Sequence, residues 1–268
     1  MSAPAAGNPT PEVVAEACTS AGMAGVSVWG ATWLDGSSPD ELGARLRELG
    51  VSVFSLEAAV SWCTGEERGA GVAAREEAEF LTDFGAAVGA EGLIAASMEV
   101  GDLDLTQAVD GFGALCDHAA ERGLWVAIEF LPWTRIPDLP AARAIVEGAA
   151  RENGGLIVDS WHFTRSGSRL ADVVEIARSV HCFQINDTAP VAEDDLRDEC
   201  MHRRLLPGEG SADLIGLIRA LDTGGASCPI SVEVFSDELL QLGPVEATVR
   251  AANAARNILS RARNAKEK

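Results

Sequence analysis

The strongest constraint on this chain is the regular alternation of two kinds of segment. Short apolar runs fall at Val26–Trp29, Val51–Leu56, Leu93–Ser97, Trp125–Phe130, Leu156–Asp159, Cys182–Asn186 and Ile230–Val234. Longer runs of helical character lie near Pro11–Ala21, Pro39–Leu49, Arg75–Val88, Thr106–Arg122, Leu139–Arg151, Arg169–Ser179, Ala212–Leu221 and Pro244–Arg261. Seven strands alternating with eight helices predict βα units on a parallel sheet. In 268 residues this count favours a (β/α)8 barrel over an open doubly wound sheet. No break in composition marks a linker, so one domain is expected over 1–268, with 1–9 and 263–268 frayed. The residues before Pro11 make a poor strand, so strand one of the barrel is expected to be irregular or missing.

Several boundaries carry their own signals. Ser38-Pro39-Asp40-Glu41 has an N-cap serine, a proline at the first helical position and an acid at the third. Thr10-Pro11 and Asp138 read the same way, and Gly22, Gly50, Gly123 and Gly224 are placed to end helices.

Charge and composition exclude whole classes of function. With 21 Lys and Arg against 41 Asp and Glu, the net charge is -20, which repels a phosphate backbone and argues against a nucleic-acid partner. No apolar run approaches the roughly 18 residues that span a bilayer, so no membrane partner is expected. Met1 to Pro11 has neither a basic region nor an apolar core and does not read as a secretory signal. The six cysteines form no C-x-x-C pair and no even framework, which predicts reduced thiols in a cytoplasmic protein. Only four histidines are present, too few for a His-rich metal cluster.

Side chains alternate along a strand, so parity tells which residues share a face. In Trp125–Phe130 the apolar Val126, Ile128 and Phe130 oppose Trp125, Ala127 and Glu129. Asp159, Gln184 and Glu233 likewise lie opposite the apolar faces of their strands, and all lie late in them. In a barrel these four would converge inside the C-terminal mouth, where barrel enzymes hold their active sites. Three buried carboxylates need a cation, which arginines at the rim or a metal ion could supply. One divalent ion held by Glu129, Asp159, Glu233 and the amide oxygen of Gln184 satisfies them, and an all-oxygen set favours Mg²⁺ or Mn²⁺ over Zn²⁺.

The stretches Glu129-Phe-Leu-Pro-Trp133, Val158-Asp159-Ser-Trp-His162, Phe183-Gln184-Ile-Asn-Asp187, Arg204-Leu-Leu-Pro-Gly-Glu-Gly210 and Val232-Glu233-Val-Phe235 together resemble the xylose isomerase-like TIM-barrel superfamily. Its members include sugar phosphate isomerases and epimerases, ketose 3-epimerases, inosose dehydratases and bacterial 3-dehydroshikimate dehydratases. The likeness runs over roughly residues 11–260 and is strongest from 124 to 236. It implies the same four metal ligands and places His162 and Arg204 on substrate oxygens. Many members carry His where this chain has Gln184. Ketose 3-epimerases tend to have an acid six residues after the first metal Glu, where this chain has Arg135. An arginine at the rim suits a carboxylate or phosphate. Here, and around Gln184 to Asp187 and at His202, the chain resembles the dehydroshikimate dehydratases. Zinc-dependent phosphodiesterases of this fold use many histidines, which this composition does not supply.

The resulting expectation is an enzyme that abstracts a proton next to a carbonyl on a small-molecule substrate and stabilises an enediolate. Glu129 and Glu233 are the expected acid–base pair, with His162 at the developing oxyanion. Arg204, held by Asp187, would anchor a substrate oxygen. Arg135 and His202 are candidate substrate contacts, and Trp133 and Trp161 candidate pocket walls. Isomerase or epimerase is the leading expectation, a dehydratase of the dehydroshikimate or inosose type the second, and a non-catalytic metal-binding barrel or subunit the third. Fold analogy also admits a homo-oligomer.

Overall fold

The structure is a computed structural model and describes residues 9–29, 37–63 and 70–264. Its contacts cluster into two compact units, Gly25–Ile157 and the described part of Met1–Ala24 with Val158–Lys268. The elements run α1 (Pro11–Ala21), β1 (Gly25–Val28), α2 (Pro39–Glu48), β2 (Ser52–Ala59), α3 (Ala70–Val88), β3 (Gly92–Ala96) and α4 (Leu105–Ala120). They continue β4 (Trp125–Glu129), α5 (Leu139–Ala149), β5 (Gly154–Asp159), α6 (Ser160–Ser166), α7 (Leu170–Ile176) and β6 (Val180–Ile185). The last are α8 (Leu196–His202), α9 (Leu214–Gly224), β7 (Ile230–Val232), α10 (Asp237–Leu240) and α11 (Pro244–Asn264).

In the first unit, consecutive strands pair in parallel from β1 to β5. Parallel strands covered on both faces become nearly continuous apolar runs, and Leu93, Ile94, Ala95 and Ala96 of β3 are all buried. Gly92 opens β3 because a Cβ there would sit 2.0 Å from the Trp125 ring. That ring packs on Phe54 with centroids 5.2 Å apart. The cap of α2 forms as its sequence predicts: Glu41 N donates to Ser38 Oγ at 3.3 Å, and Ser38 N donates to Glu41 Oε2 at 2.8 Å. Asp138 caps α5 by accepting from Ala141 N at 2.9 Å.

In the second unit, β6 and β7 pair in parallel, with Gln184 beside Ser231. Helix α1 packs on α11, and α9 packs on both α7 and α11. Arg256 of α11 joins that helix to α1, donating to the carbonyls of Ala21 and Gly22 that α1 leaves unpaired at its end.

The seven expected strands and eight expected helices all appear, with ends shifted by at most five residues. The 3₁₀ turn Ala177–Ser179 completes the segment expected as one helix from 169 to 179. Three short helices, α6, α8 and α10, replace expected loops. At seven, seven and four residues they are too short to display a helical period. The expectation about a strand before Pro11, and most of that about the chain ends, lies outside the described residues. At the C-terminus α11 continues through Asn264, past the expected end of order. Among the described residues, no helix is long and apolar enough to cross a membrane. All six cysteines are free thiols, five of them buried.

Candidate active site

Asp159 is the last residue of β5 and also the N-cap of α6, so its carboxylate is fixed from both sides. Its Oδ1 accepts from His162 N at 2.9 Å. Its Oδ2 accepts from Arg204 Nη1 at 2.9 Å and from Asn186 Nδ2 at 2.7 Å. Glu233 follows the last residue of β7 and puts Oε2 3.1 Å from the same Arg204 Nη1. Both carboxylates are buried, and Arg204 between them is only 2% exposed. A buried charge pair persists only where further hydrogen bonds satisfy what remains of each group. Here every guanidinium nitrogen has a protein acceptor. Nε donates to Cys200 O at 3.0 Å, and Nη2 donates to Cys200 Sγ at 2.9 Å and lies 3.4 Å from His162 Nε2. Phe235 closes the other side, its ring centroid 4.7 Å from the guanidinium carbon. Burial works against the charge on Arg204. Cys200, Asp159 and Glu233 beside it outweigh burial and hold its pKa well above the ordinary guanidinium value.

His162 lies one turn into α6. Burial pushes its pKa down to about 3; Asp159 opposes that shift and Arg204 adds to it. The imidazole is therefore neutral at ordinary pH. Arginine has only donors, so Nε2 is the acceptor toward Arg204 and the ring proton sits on Nδ1. Gln184 lies in β6, and its Oε1 is buried with no hydrogen-bond donor. An orphaned buried acceptor is rare and calls for a partner. With Asp159 and Glu233, this oxygen fits the hard-cation donor set that the sequence pattern implies.

One sequence expectation needs correction. Asp187 does not hold Arg204. Its buried carboxylate instead accepts four backbone N–H groups: Thr188 at 2.8 Å and Ala212 at 2.9 Å on Oδ1, Gly208 at 2.9 Å and Gly210 at 3.1 Å on Oδ2. Gly210 thus approaches Asp187 so closely that a Cβ would sit 2.5 Å from Oδ1. Arg204 presents no unengaged donor to a substrate and sits as an internal counter-charge. Trp161 is fully buried, and Arg165 and Arg204 lie 5.7 and 5.9 Å from its ring centre, so it packs behind the site. His202 is on the surface, with Nδ1 3.0 Å from Asp237 Oδ1.

Two residues that the sequence reading missed are Asn186, between Asp159 and Glu233, and Glu199. Arg165 Nε donates to Glu199 Oε1 at 2.9 Å, which ties α6 to α8. In the other unit, Glu129 is the half-buried last residue of β4. Trp133 is half-buried on the loop after β4. On the same loop Arg135 Nη2 pairs with Glu99 Oε2 at 2.5 Å and Nη1 donates to Cys63 O at 3.3 Å, so the expected anion-binding arginine already has a carboxylate partner.

A family model described as xylose isomerase-like TIM barrel matches residues 15–258. Inosose isomerase of Bacillus licheniformis is 35% identical over 141 residues, covering 52% of this chain and 49% of that protein. The 3-dehydroshikimate dehydratase of Pseudomonas aeruginosa is 28% identical over 229 residues, covering 83% of this chain and 36% of that protein. The chain thus spans about half the length, or less, of the curated relatives it matches. Among solved structures, that of an IolI protein with a bound zinc atom superposes with TM-score 0.86 at 23% identity, covering 96% of this chain and 95% of that one. An L-ribulose 3-epimerase superposes with TM-score 0.74 at 14% identity, covering 96% of this chain and 91% of that one. The fold is that of the TIM barrel.

Proposed function

The chain belongs to the xylose isomerase-like TIM barrel family, and from that premise we propose a divalent-metal-dependent isomerase or epimerase of a small polyhydroxylated ketone or sugar. The observation that carries the reading is the buried pair Asp159 and Glu233 around Arg204, together with the donorless Gln184 Oε1. Glu129, which ends β4 on the parity face opposite its apolar residues, is the proposed fourth ligand. Three carboxylates and an amide oxygen suit Mg²⁺ or Mn²⁺; the zinc atom of the IolI neighbour makes Zn²⁺ the third ion to test. When bound, such an ion supplies Lewis-acid polarisation of a substrate carbonyl and stabilisation of the charge that develops on it.

The chain's own groups divide the remaining work. One of Glu129 and Glu233 removes the proton next to the carbonyl. The other returns a proton on the opposite face in an epimerisation; transfer between neighbouring carbons gives an isomerisation. Neutral His162 is the proposed hydrogen-bond partner of the developing oxyanion. Arg204 holds Asp159 and Glu233 in place before substrate arrives. Trp133 is the proposed substrate contact on the loop after β4.

Matches to inosose isomerases at 31–35% identity favour a cyclic polyhydroxy ketone as the first substrate class to try. The alignment with a dehydroshikimate dehydratase over 83% of this chain favours a second outcome, loss of a β-hydroxyl after the same proton abstraction. The test is proton NMR in D₂O of the Mn²⁺- or Mg²⁺-loaded protein with inososes, ketoses, sugar phosphates and 3-dehydroshikimate. Metal-dependent loss of an α-proton signal with the carbon skeleton retained is expected. The exchange should vanish in Glu129→Gln. A vinylic or aromatic product moves the assignment to the lyase. Silence with every compound, and no metal binding, refutes the reading.

A further inference from the structure

We propose that Asn186, with its amide turned by Ser160, is a positioning residue that decides which oxygen of Asp159 is offered to a cation. The inference rests on the metal-site reading above and deepens it.

Asn186 and Ser160 are both fully buried. Asn186 follows the last residue of β6, and Ser160 follows Asp159 at the end of β5. The Asn186 amide nitrogen donates to Asp159 Oδ2 at 2.7 Å and to the Glu233 carbonyl at 3.0 Å. One side chain thus ties the carboxylate of one proposed ligand to the backbone of another. It joins the C-terminal ends of β5, β6 and β7.

The orientation of the amide follows from its neighbours. Two pure acceptors, Asp159 Oδ2 and Glu233 O, face one end, so that end must be the NH₂. At the other end Ser160 Oγ accepts from Asn186 N at 2.9 Å. Its own proton is then directed to an oxygen of Asn186, with Oδ1 and the carbonyl O each 2.8 Å away. A reversed amide would set an oxygen against two acceptors inside a buried site, where unsatisfied polar groups are most costly.

Selection of the Asp159 oxygen is the consequence. Oδ2 already takes two donors, from Arg204 and Asn186, whereas Oδ1 takes one, from His162 N. Each carboxylate oxygen has two lone-pair sites. Oδ1 is therefore the atom with capacity left, and Asn186 supplies the donor that makes the two oxygens unequal. Being neutral, it does so without adding positive charge beside a cation site, as a second arginine would.

The test is Mn²⁺ binding by calorimetry, and the visible spectrum of the Co²⁺-loaded protein, for wild type, Asn186→Ala, Ser160→Ala and the double variant. Removing a group that orients a ligand commonly weakens metal binding about 10- to 100-fold, and Asn186→Ala is expected in that range. Ser160→Ala deletes only a hydroxyl but leaves the buried Asn186 N–H without its acceptor, so urea unfolding of the variant checks that binding is measured on folded protein. Ser160→Ala should weaken Mn²⁺ binding about 3- to 10-fold, and the double variant should bind no more weakly than Asn186→Ala, because Ser160 acts through Asn186. The Co²⁺ spectrum should shift in both single variants, a change that loss of stability alone would not produce. If wild type binds Mn²⁺ and both single variants bind within about twofold of it, the positioning role is wrong and the metal site stands. Additive effects overturn the coupling between Ser160 and Asn186. If wild type itself binds neither Mn²⁺ nor Co²⁺, the metal-site reading falls, and this inference with it.

Discussion

Replacing Asp187 with alanine removes the acceptor for four backbone N–H groups at once. The donors differ in how far water can replace the carboxylate. Thr188 is buried, Ala212 is half-buried, and Gly208 and Gly210 are exposed. A buried donor left without an acceptor costs about 1–3 kcal/mol. Counting Thr188 fully, Ala212 in part and the glycines as rehydrated gives a loss of about 3 kcal/mol. A domain's whole stability is usually about 5–15 kcal/mol, so the effect is large for a single surface-loop anchor. With a urea slope of about 3 kcal/mol per molar, the unfolding midpoint should fall by about 1 M. Amide hydrogen exchange should also quicken at Thr188 and Ala212 in the native state, since their protection comes from this carboxylate. A midpoint within about 0.2 M of wild type, with those amides still protected, would refute the account of Asp187 as the acceptor that builds the loop.

Three further outcomes are expected. Arg204→Met leaves Asp159 and Glu233 buried without their counter-charge, which should cost about 3–5 kcal/mol in metal-free urea unfolding; a loss below about 1 kcal/mol would contradict the buried triad. Burial raises the thiols of Cys18 and Cys63 and pushes those of Cys116 and Cys200 up to about 12. Ellman's reagent should therefore find at most Cys228 in the native chain and all six cysteines after denaturation; rapid reaction of several native thiols would refute the burial. Burial also holds the His181 imidazole below its ordinary range. As pH falls through about 6.5 the unfolded chain takes up that proton first, so the His181 contribution is complete above this pH and lost below it. His181→Gln should flatten the urea midpoint against pH between about 7 and 5, and an unchanged slope would refute it.

Much of the fold was legible because its signals are local and repeated. A strand must alternate its faces and a helix must return every three or four residues, so both write a period into the sequence. Ser38 and Glu41 wrote the start of α2 in the same way, since a capping box is made and read within four residues. Parity along the strands also singled out Glu129, Asp159, Gln184 and Glu233, because a carboxylate or amide that breaks an apolar run stands out. The short helices after β5, β6 and β7 left no such mark.

The sequence by itself determined the alternation of strands and helices, their order and the polar residues at the strand ends. Only the tertiary structure decided who partners whom. Asp187 and Arg204 are opposite charges in neighbouring motifs and invite pairing, yet Asp187 gathers the backbone of Gly208, Gly210 and Ala212 while Arg204 turns to Asp159, 45 positions away. Asn186 and Ser160 are ordinary residue types at ordinary places until the ends of β5, β6 and β7 come together around them. The physical reason is that a periodic face is a property of consecutive residues. A hydrogen-bond network among buried groups is a property of distances between remote ones, which folding creates and the order of residues does not display.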